Sequence, residues 1–289
     1  MLTVLAPAKL NLTLEVLAER SDGFHEIRSV AQTINLCDSL RFQLSESIEF
    51  TCADSRWLPG ESLVSKATRL LQKTTGCSQG AKIEVEKRIP LISGLSGDSS
   101  DAAAVLNALN RLWELGLSLS QLVELASQLG SDVAFFLYNG TALLKGRGEV
   151  VTPLPPLPHM NVVVMLPPVP RVPGKTGRLY ASLPPSHYTQ GEITERLVAR
   201  LTEENLSGEG LVGSVFNVLA DVALENFAGL GGYREQFLKA GAQQVYLAGS
   251  GPALFTLIEN KAQAEKIYRR LQKQGFESYL TDTLDVIDK

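Results

Sequence analysis

The stretch that most constrains this chain is the loop Gly94-Leu95-Ser96-Gly97-Asp98-Ser99-Ser100-Asp101. It lies between a β-like run and the best helical pattern in the sequence, Ala102, Val105, Leu106, Leu109, Leu112 and Trp113 at helical spacing. A loop in that position delivers the chain to a helix N-terminus, where backbone N–H groups lack intrahelical acceptors and carry partial positive charge. Such a terminus receives phosphate. Gly94 and Gly97 allow close backbone approach, and Ser99 or Ser100 can offer a hydroxyl to phosphate or to Mg2+. No Lys follows the second glycine, and the spacing is not GxGxxG, so neither common nucleotide loop applies. On composition alone, an ordinary loop capped by Ser99 or Ser100 explains the segment equally well.

The elements around it are mixed. Leu10, Leu12, Leu14 and Val16 alternate with Asn11, Thr13 and Glu15, which predicts a strand with Lys9 on its polar side. Further β-like runs cover 26–36, 40–44, 48–52 and 82–87, and Leu63, Val64, Ala67, Leu70 and Leu71 share one helical face. Ser118 and Gln121 have the spacing of a capping box, and Gly130 is a natural stop for the helix they open. Ser131-Asp132 then offers an N-cap to the apolar turn 133–137, and Asn139-Gly140 marks a turn before a strand at 141–145.

Pro153, Pro155, Pro156 and Pro158 make the clearest break in composition, placing a boundary near residue 155 between domains 1–155 and 156–289. Beyond it come a buried-type strand at 161–166, a loop-like 167–177, and helical patterns near 193–201, 215–224, 234–240 and 263–273. Two β-like runs, 244–248 and 254–258, flank Gly249-Ser250-Gly251. Strands and helices without regular βαβ alternation predict an α+β fold.

Composition excludes several function classes. A net charge of −4 without a basic run speaks against nucleic acid as a partner. Cys37, Cys52 and Cys77 lie far apart, a pattern of neither a zinc site nor a disulfide framework. No apolar stretch reaches the ~20 residues of a membrane span, and the N-terminus lacks a signal-peptide pattern, so cytoplasmic placement is expected.

Five segments in order carry a resemblance: Pro7–Leu12, Asp22–Glu26, Ile89-Pro90 with Gly94–Ala103, Gly130–Val133, and Gly249–Pro252. Together they resemble the GHMP kinase superfamily, essentially from end to end. The resemblance implies a two-domain GHMP kinase-like α+β architecture with the active site in an interdomain cleft. It also implies ATP and Mg2+ as cofactors and a monomer or homodimer. By resemblance, Gly94–Ser100 holds the ATP phosphates, Asp132 is the catalytic carboxylate and Lys9 its cationic partner. Phe24 and His25 would meet the base of a small-molecule substrate carrying a cytidine diphosphate group. Tyr180 would stand on the base's other side, with Asn11 and Gly249, Ser250 and Gly251 also contacting substrate.

Three departures from the family pattern stand out. Asp98 occupies a usual glycine position; a carboxylate ~4 Å from phosphate at an effective dielectric of ~20 is repelled by roughly 4 kcal/mol. Asp98 is therefore expected to turn away or to meet the nucleotide through Mg2+. Ala220 stands where relatives often have glutamate, and Val172-Pro173-Gly174-Lys175-Thr176 replaces a serine/threonine-rich segment.

Overall fold

In a computed structural model, every residue is described except 171–173, 204–205 and 286–289. In chain order the strands are β1 (Leu2–Glu19), β2 (His25–Ser45), β3 (Ile48–Cys52), β4 (Gly80–Glu86), β5 (Thr141–Lys145), β6 (Val150–Pro153), β7 (Asn161–Leu166), β8 (Phe216–Asn217), β9 (Tyr246–Leu247), β10 (Leu254–Ile258) and β11 (Glu277–Asp282). The helices are α1 (Leu63–Thr75), α2 (Gly97–Leu112), α3 (Leu119–Leu129), α4 (Phe135–Tyr138), α5 (Lys175–Ala181), α6 (Glu192–Thr202), α7 (Gly208–Val212), α8 (Ala220–Asn226), α9 (Leu230–Lys239) and α10 (Lys261–Lys273).

These elements form two compact units that interleave along the chain. The first comprises Met1–Ala8, Leu36–Leu91 and Ser96–Asn139. In it β4 pairs antiparallel with the Ser39–Ser45 end of β2 and parallel with β3. Helix α1 packs on α2 and α3, and α2 on α4. Val64, Ala67 and Leu71 of α1 and Val105, Leu106 and Leu109 of α2 are buried. Each fully buried leucine or valine contributes about 1.5–3 kcal/mol relative to exposure. That burial fixes where the N-terminus of α2 lies in the unit. Ser118 and Gln121 form the expected capping box on α3, which ends at Gly130.

The second unit comprises Lys9–Asn35, Ile92–Leu95 and Gly140–Lys289. Here β8 runs parallel to β1, and β5 runs antiparallel to both β2 and β6. A separate four-stranded sheet has the order β11-β7-β10-β9, antiparallel throughout. All six residues of β7 are buried, as an unbroken apolar run requires. Val163, Met165, Leu254, Phe237, Ile267 and Leu271 belong to its core.

Several sequence expectations needed correction. The two runs at 26–36 and 40–44 are one strand, β2, and β1 extends well beyond 10–16. The helical pattern at 215–224 breaks at Asn217, whose Oδ1 accepts the Leu219 N–H at 2.9 Å and whose Nδ2 donates to the carbonyls of Leu247 and Gly249. Residues 216–217 are therefore strand, and the helix starts at Ala220, which packs half-buried on the core. The loop-like 167–177 gives way to α5 at Lys175. Val172 and Pro173 lie outside the described residues. Among those described, no helix is long and apolar enough to cross a membrane.

Candidate functional site

Helix α2 begins earlier than its apolar repeat does. Ser96 occupies the cap position with left-handed backbone, φ 59° and ψ 34°, and the helix starts at Gly97. Neither Ser99 nor Ser100 is the cap; both lie within the first turn, and the Ser100 N–H already bonds the Ser96 carbonyl at 3.0 Å. Ser96 does not cap with its side chain either. Its hydroxyl donates to Asp132 Oδ2 at 2.5 Å. Asp132 in turn is not the cap of the following helix: that position is Ala134, with no side-chain cap bond. The carboxylate thus stands beside the first turn of α2, bonded to the residue that opens it. Ser100 Oγ is buried there without a hydrogen-bond partner among the described residues. A buried hydroxyl oxygen at a helix N-terminus suits a phosphate or its counter-cation.

Behind that turn sits a buried charge cluster that sequence reasoning missed. The side chain of Lys87 is 2% exposed and lies 2.6 Å from Asp38 and 2.7 Å from Asp101, both fully buried. Asp98, half-exposed, approaches the same ammonium at 3.6 Å. Asp98 thus shares the Lys87 ammonium with the two buried carboxylates. Burial pulls the Lys87 ammonium down, but Asp101, Asp38 and Asp98 together outweigh it and hold its pKa above the ordinary lysine range. Burial pushes the Asp101 carboxyl well above the usual carboxylate range, with Lys87 opposing and Asp38 adding to the rise. One ammonium serves two buried carboxylates, so the second is short of compensation. Gly97 packs tightly beside this cluster: a Cβ there would meet Ile89 Cγ2 at 3.0 Å and Lys87 Nζ at 3.3 Å, so these side chains would have to shift slightly.

In the second unit, the polar residues of β1 form a buried stripe rather than a solvated face. Lys9 is 4% exposed, and its Nζ donates to Asn11 Oδ1 at 2.8 Å. Asn11 donates to Ser29 Oγ at 2.8 Å, and Ser29 to the Thr13 carbonyl. Glu15 closes the stripe by accepting the Thr194 N–H at 2.7 Å near the start of α6.

The Asp22–Glu26 segment contributes to an aromatic cluster. Asp22 Oδ1 accepts the Phe24 N–H at 3.1 Å, and the Phe24 carbonyl accepts from Arg20 N–H at 2.8 Å, fixing a tight turn. His25 lies 5.2 Å from the Tyr180 ring and 6.0 Å from that of Tyr188, the latter edge-on at 88°. Phe24 is 46% exposed beneath the Arg147 guanidinium, 4.8 Å from the ring centroid. Tyr188 and Arg147 carried no signal of their own in the sequence; they are recognisable only once the cluster is assembled.

The turn Gly249-Ser250-Gly251 packs on the start of the glycine–serine loop. A Cβ on Gly94 would meet the Ala248 carbonyl oxygen at 2.1 Å, and one on Gly249 would meet the Gly94 oxygen at 2.8 Å. Both glycines have positive φ, 92° and 52°. Only glycine fits at either point. Asn217 and Lys175 hold the other side of the turn through side-chain donors.

No group of three His, Cys, Asp or Glu able to hold a metal occurs among the described residues. A divalent cation here would depend on ligands from a bound phosphate together with a serine hydroxyl, a donor set that suits Mg2+.

Comparison with known proteins identifies the family. Residues 62–140 match the family described as GHMP kinases N terminal domain, and 199–277 match GHMP kinases C terminal. The chain is 47% identical over 288 residues, 100% of both chains, to a 4-diphosphocytidyl-2-C-methyl-D-erythritol kinase of Dehalococcoides mccartyi. It is 39% identical to the enzyme of that name from Geobacillus thermodenitrificans, over 94% of this chain and 93% of the other. A crystal structure of 4-(cytidine 5'-diphospho)-2C-methyl-D-erythritol kinase superposes with a TM-score of 0.81 at 32% identity, covering 98% of this chain and 99% of that one. A homoserine kinase from Cytophaga hutchinsonii, at 22% identity and TM-score 0.73, speaks for the fold alone.

Proposed function

Because the chain belongs to the GHMP kinase family, we propose that it transfers the γ-phosphoryl group of ATP to the 2-hydroxyl of 4-diphosphocytidyl-2-C-methyl-D-erythritol, a step of the non-mevalonate isoprenoid route. The observation that carries the choice of acceptor is the aromatic cluster of His25 with Tyr180 and Tyr188, beside Phe24 under Arg147. An exposed aromatic face such as that of Phe24 suits the stacking of a flat pyrimidine. Homoserine and mevalonate have no base to stack on it.

In this reading the first turn of α2, from Ser96 to Ser100, receives the ATP phosphates on its backbone amides. Mg2+, with Ser99 or Ser100 among its ligands, would neutralise phosphate charge. Asp132 accepts the proton of the attacking hydroxyl, oriented by the hydrogen bond from Ser96. Lys9 supplies positive charge that offsets charge on the transferring group. Gly249, Ser250, Gly251 and Asn11 contact the acceptor. Phosphoryl transfer asks mainly for positioning and charge stabilisation, so this short cast is sufficient.

The test is ADP release from wild-type protein offered ATP with 4-diphosphocytidyl-2-C-methyl-D-erythritol, homoserine or mevalonate in turn. Turnover on the cytidine compound alone is the expected result. Turnover on homoserine or mevalonate instead, with none on the cytidine compound, refutes the assignment.

A further inference from the structure

Lys175 lies in the segment that departs from the family pattern, and its surroundings are unusual for a lysine. It opens α5 with only 8% exposure. Its ammonium donates to Ser250 Oγ at 2.9 Å, to the Ser250 carbonyl at 3.3 Å and to the Gly251 carbonyl. All of these acceptors are neutral, and no carboxylate among the described residues forms an ion pair with Lys175. Burial with no counter-charge draws the pKa down to about 8. A surface lysine could have turned to solvent; this one spends its charge on a glycine turn.

The same turn abuts Gly94, where a Cβ would lie 2.8 Å from the Gly251 nitrogen. The turn is thus flanked by the start of the glycine–serine loop and by a buried cation. Buried charges are normally paired, and a strongly perturbed titratable group at a glycine turn is a functional-site signal.

We propose that Lys175 is an anion-binding residue that offers its charge to a phosphate of the substrate's diphosphate at the Gly249–Gly251 turn. The identity of that anion rests on the function proposed above; the uncompensated charge does not. An arriving phosphate provides the counter-charge the fold withholds, so binding gains from a desolvation already incurred in the free protein. The competing account makes Lys175 a strut that only shapes the turn through its donors.

Charge and hydrogen bonding separate the two accounts. Calorimetric titration of CDP and of cytidine into the full-length wild type, Lys175→Gln and Lys175→Arg provides the comparison. Glutamine keeps a donor and loses the charge; arginine keeps the charge. The proposal expects CDP affinity to fall about ten- to a hundred-fold in Lys175→Gln, cytidine affinity to stay unchanged, and Lys175→Arg to retain most CDP affinity. Lys175→Met gives the same comparison should the glutamine variant not yield folded protein. CDP binding as tight as wild type in the neutral variants overturns the proposal, as does a parallel loss of CDP and cytidine. Wild-type protein that binds neither ligand refutes the cytidine-diphosphate reading itself, and this assignment with it.

Discussion

Replacing Lys87 by methionine isolates the buried charge cluster from every other feature of the chain. The substitution keeps an unbranched side chain but removes the only cation within 4 Å of Asp38 and Asp101 among the described residues. Asp38 still accepts the N–H groups of Arg88 at 2.6 Å and Ile89 at 2.8 Å. Asp101 has no such reserve, because its Oδ1 is already buried without a hydrogen bond among the described residues. Breaking a buried pair by removing one partner costs about 3–5 kcal/mol. At roughly 2–3 °C per kcal/mol for a chain of this size, the midpoint of thermal unfolding should fall by about 6–15 °C.

The pH dependence gives the sharper test. The folded pKa of Asp101 lies above its unfolded value, so the folded state holds the proton more tightly. Loss of Lys87 raises that pKa further. Protonation as pH falls then relieves the uncompensated charge, and the deficit of Lys87→Met should be largest near pH 8 and shrink toward pH 5. In the wild type the raised Lys87 pKa keeps its stabilisation intact through the neutral range, to be lost only as pH climbs past the ordinary lysine value. Urea unfolding at both pH values measures the difference directly. A deficit below about 1 kcal/mol, the range of an exposed ion pair, or one equal at both pH values, would show that the cluster is not the buried triad described here.

Gly94→Ala would push a Cβ to 2.1 Å from the Ala248 carbonyl at a φ of 92°; strain of this kind costs about 1–3 kcal/mol. A lower unfolding midpoint together with weaker ATP binding is expected, and an unchanged midpoint rejects the close approach. His25→Ala should raise the acceptor KM about ten- to a hundred-fold, the worth of one stacked base, while leaving the ATP KM alone in steady-state assays. Equal shifts in both would point to global damage instead. Lys175 is held at about 8 against an ordinary 10.5, so between these values the unfolded chain binds the extra proton. Wild type should therefore gain about 3 kcal/mol relative to Lys175→Gln as pH rises across that interval, and a flat difference in denaturant titrations contradicts it.

Local signals in the sequence were reliable where local chemistry decides the structure. The Ser118–Gln121 box and the apolar run of β7 are complete within a few residues, and both are found where expected. Long-range chemistry was harder to read. Lys87 looks like any strand lysine until the fold brings Asp38 and Asp101 to it. Alternation puts Lys9 on the polar side of β1 but does not reveal that this side is buried from Ala6 to Val16, with its polar side chains bonding one another. Asn217 defeated a helical pattern by satisfying the backbone at Leu219 and reaching the 247–249 carbonyls, which apolar periodicity does not register. In the aromatic cluster, Phe24, His25 and Tyr180 follow from the family resemblance, whereas Tyr188 and Arg147 are brought there by the fold alone.

The proposed phosphoryl transfer depends on Asp132 receiving the hydroxyl proton. Single-turnover transfer of labelled γ-phosphate from ATP to 4-diphosphocytidyl-2-C-methyl-D-erythritol, comparing wild type with Asp132→Asn at matched stability, measures that step alone. The variant should bind both ligands yet transfer phosphate about 10²–10⁴-fold more slowly. An asparagine variant that transfers at close to the wild-type rate contradicts the assignment of Asp132 as the base.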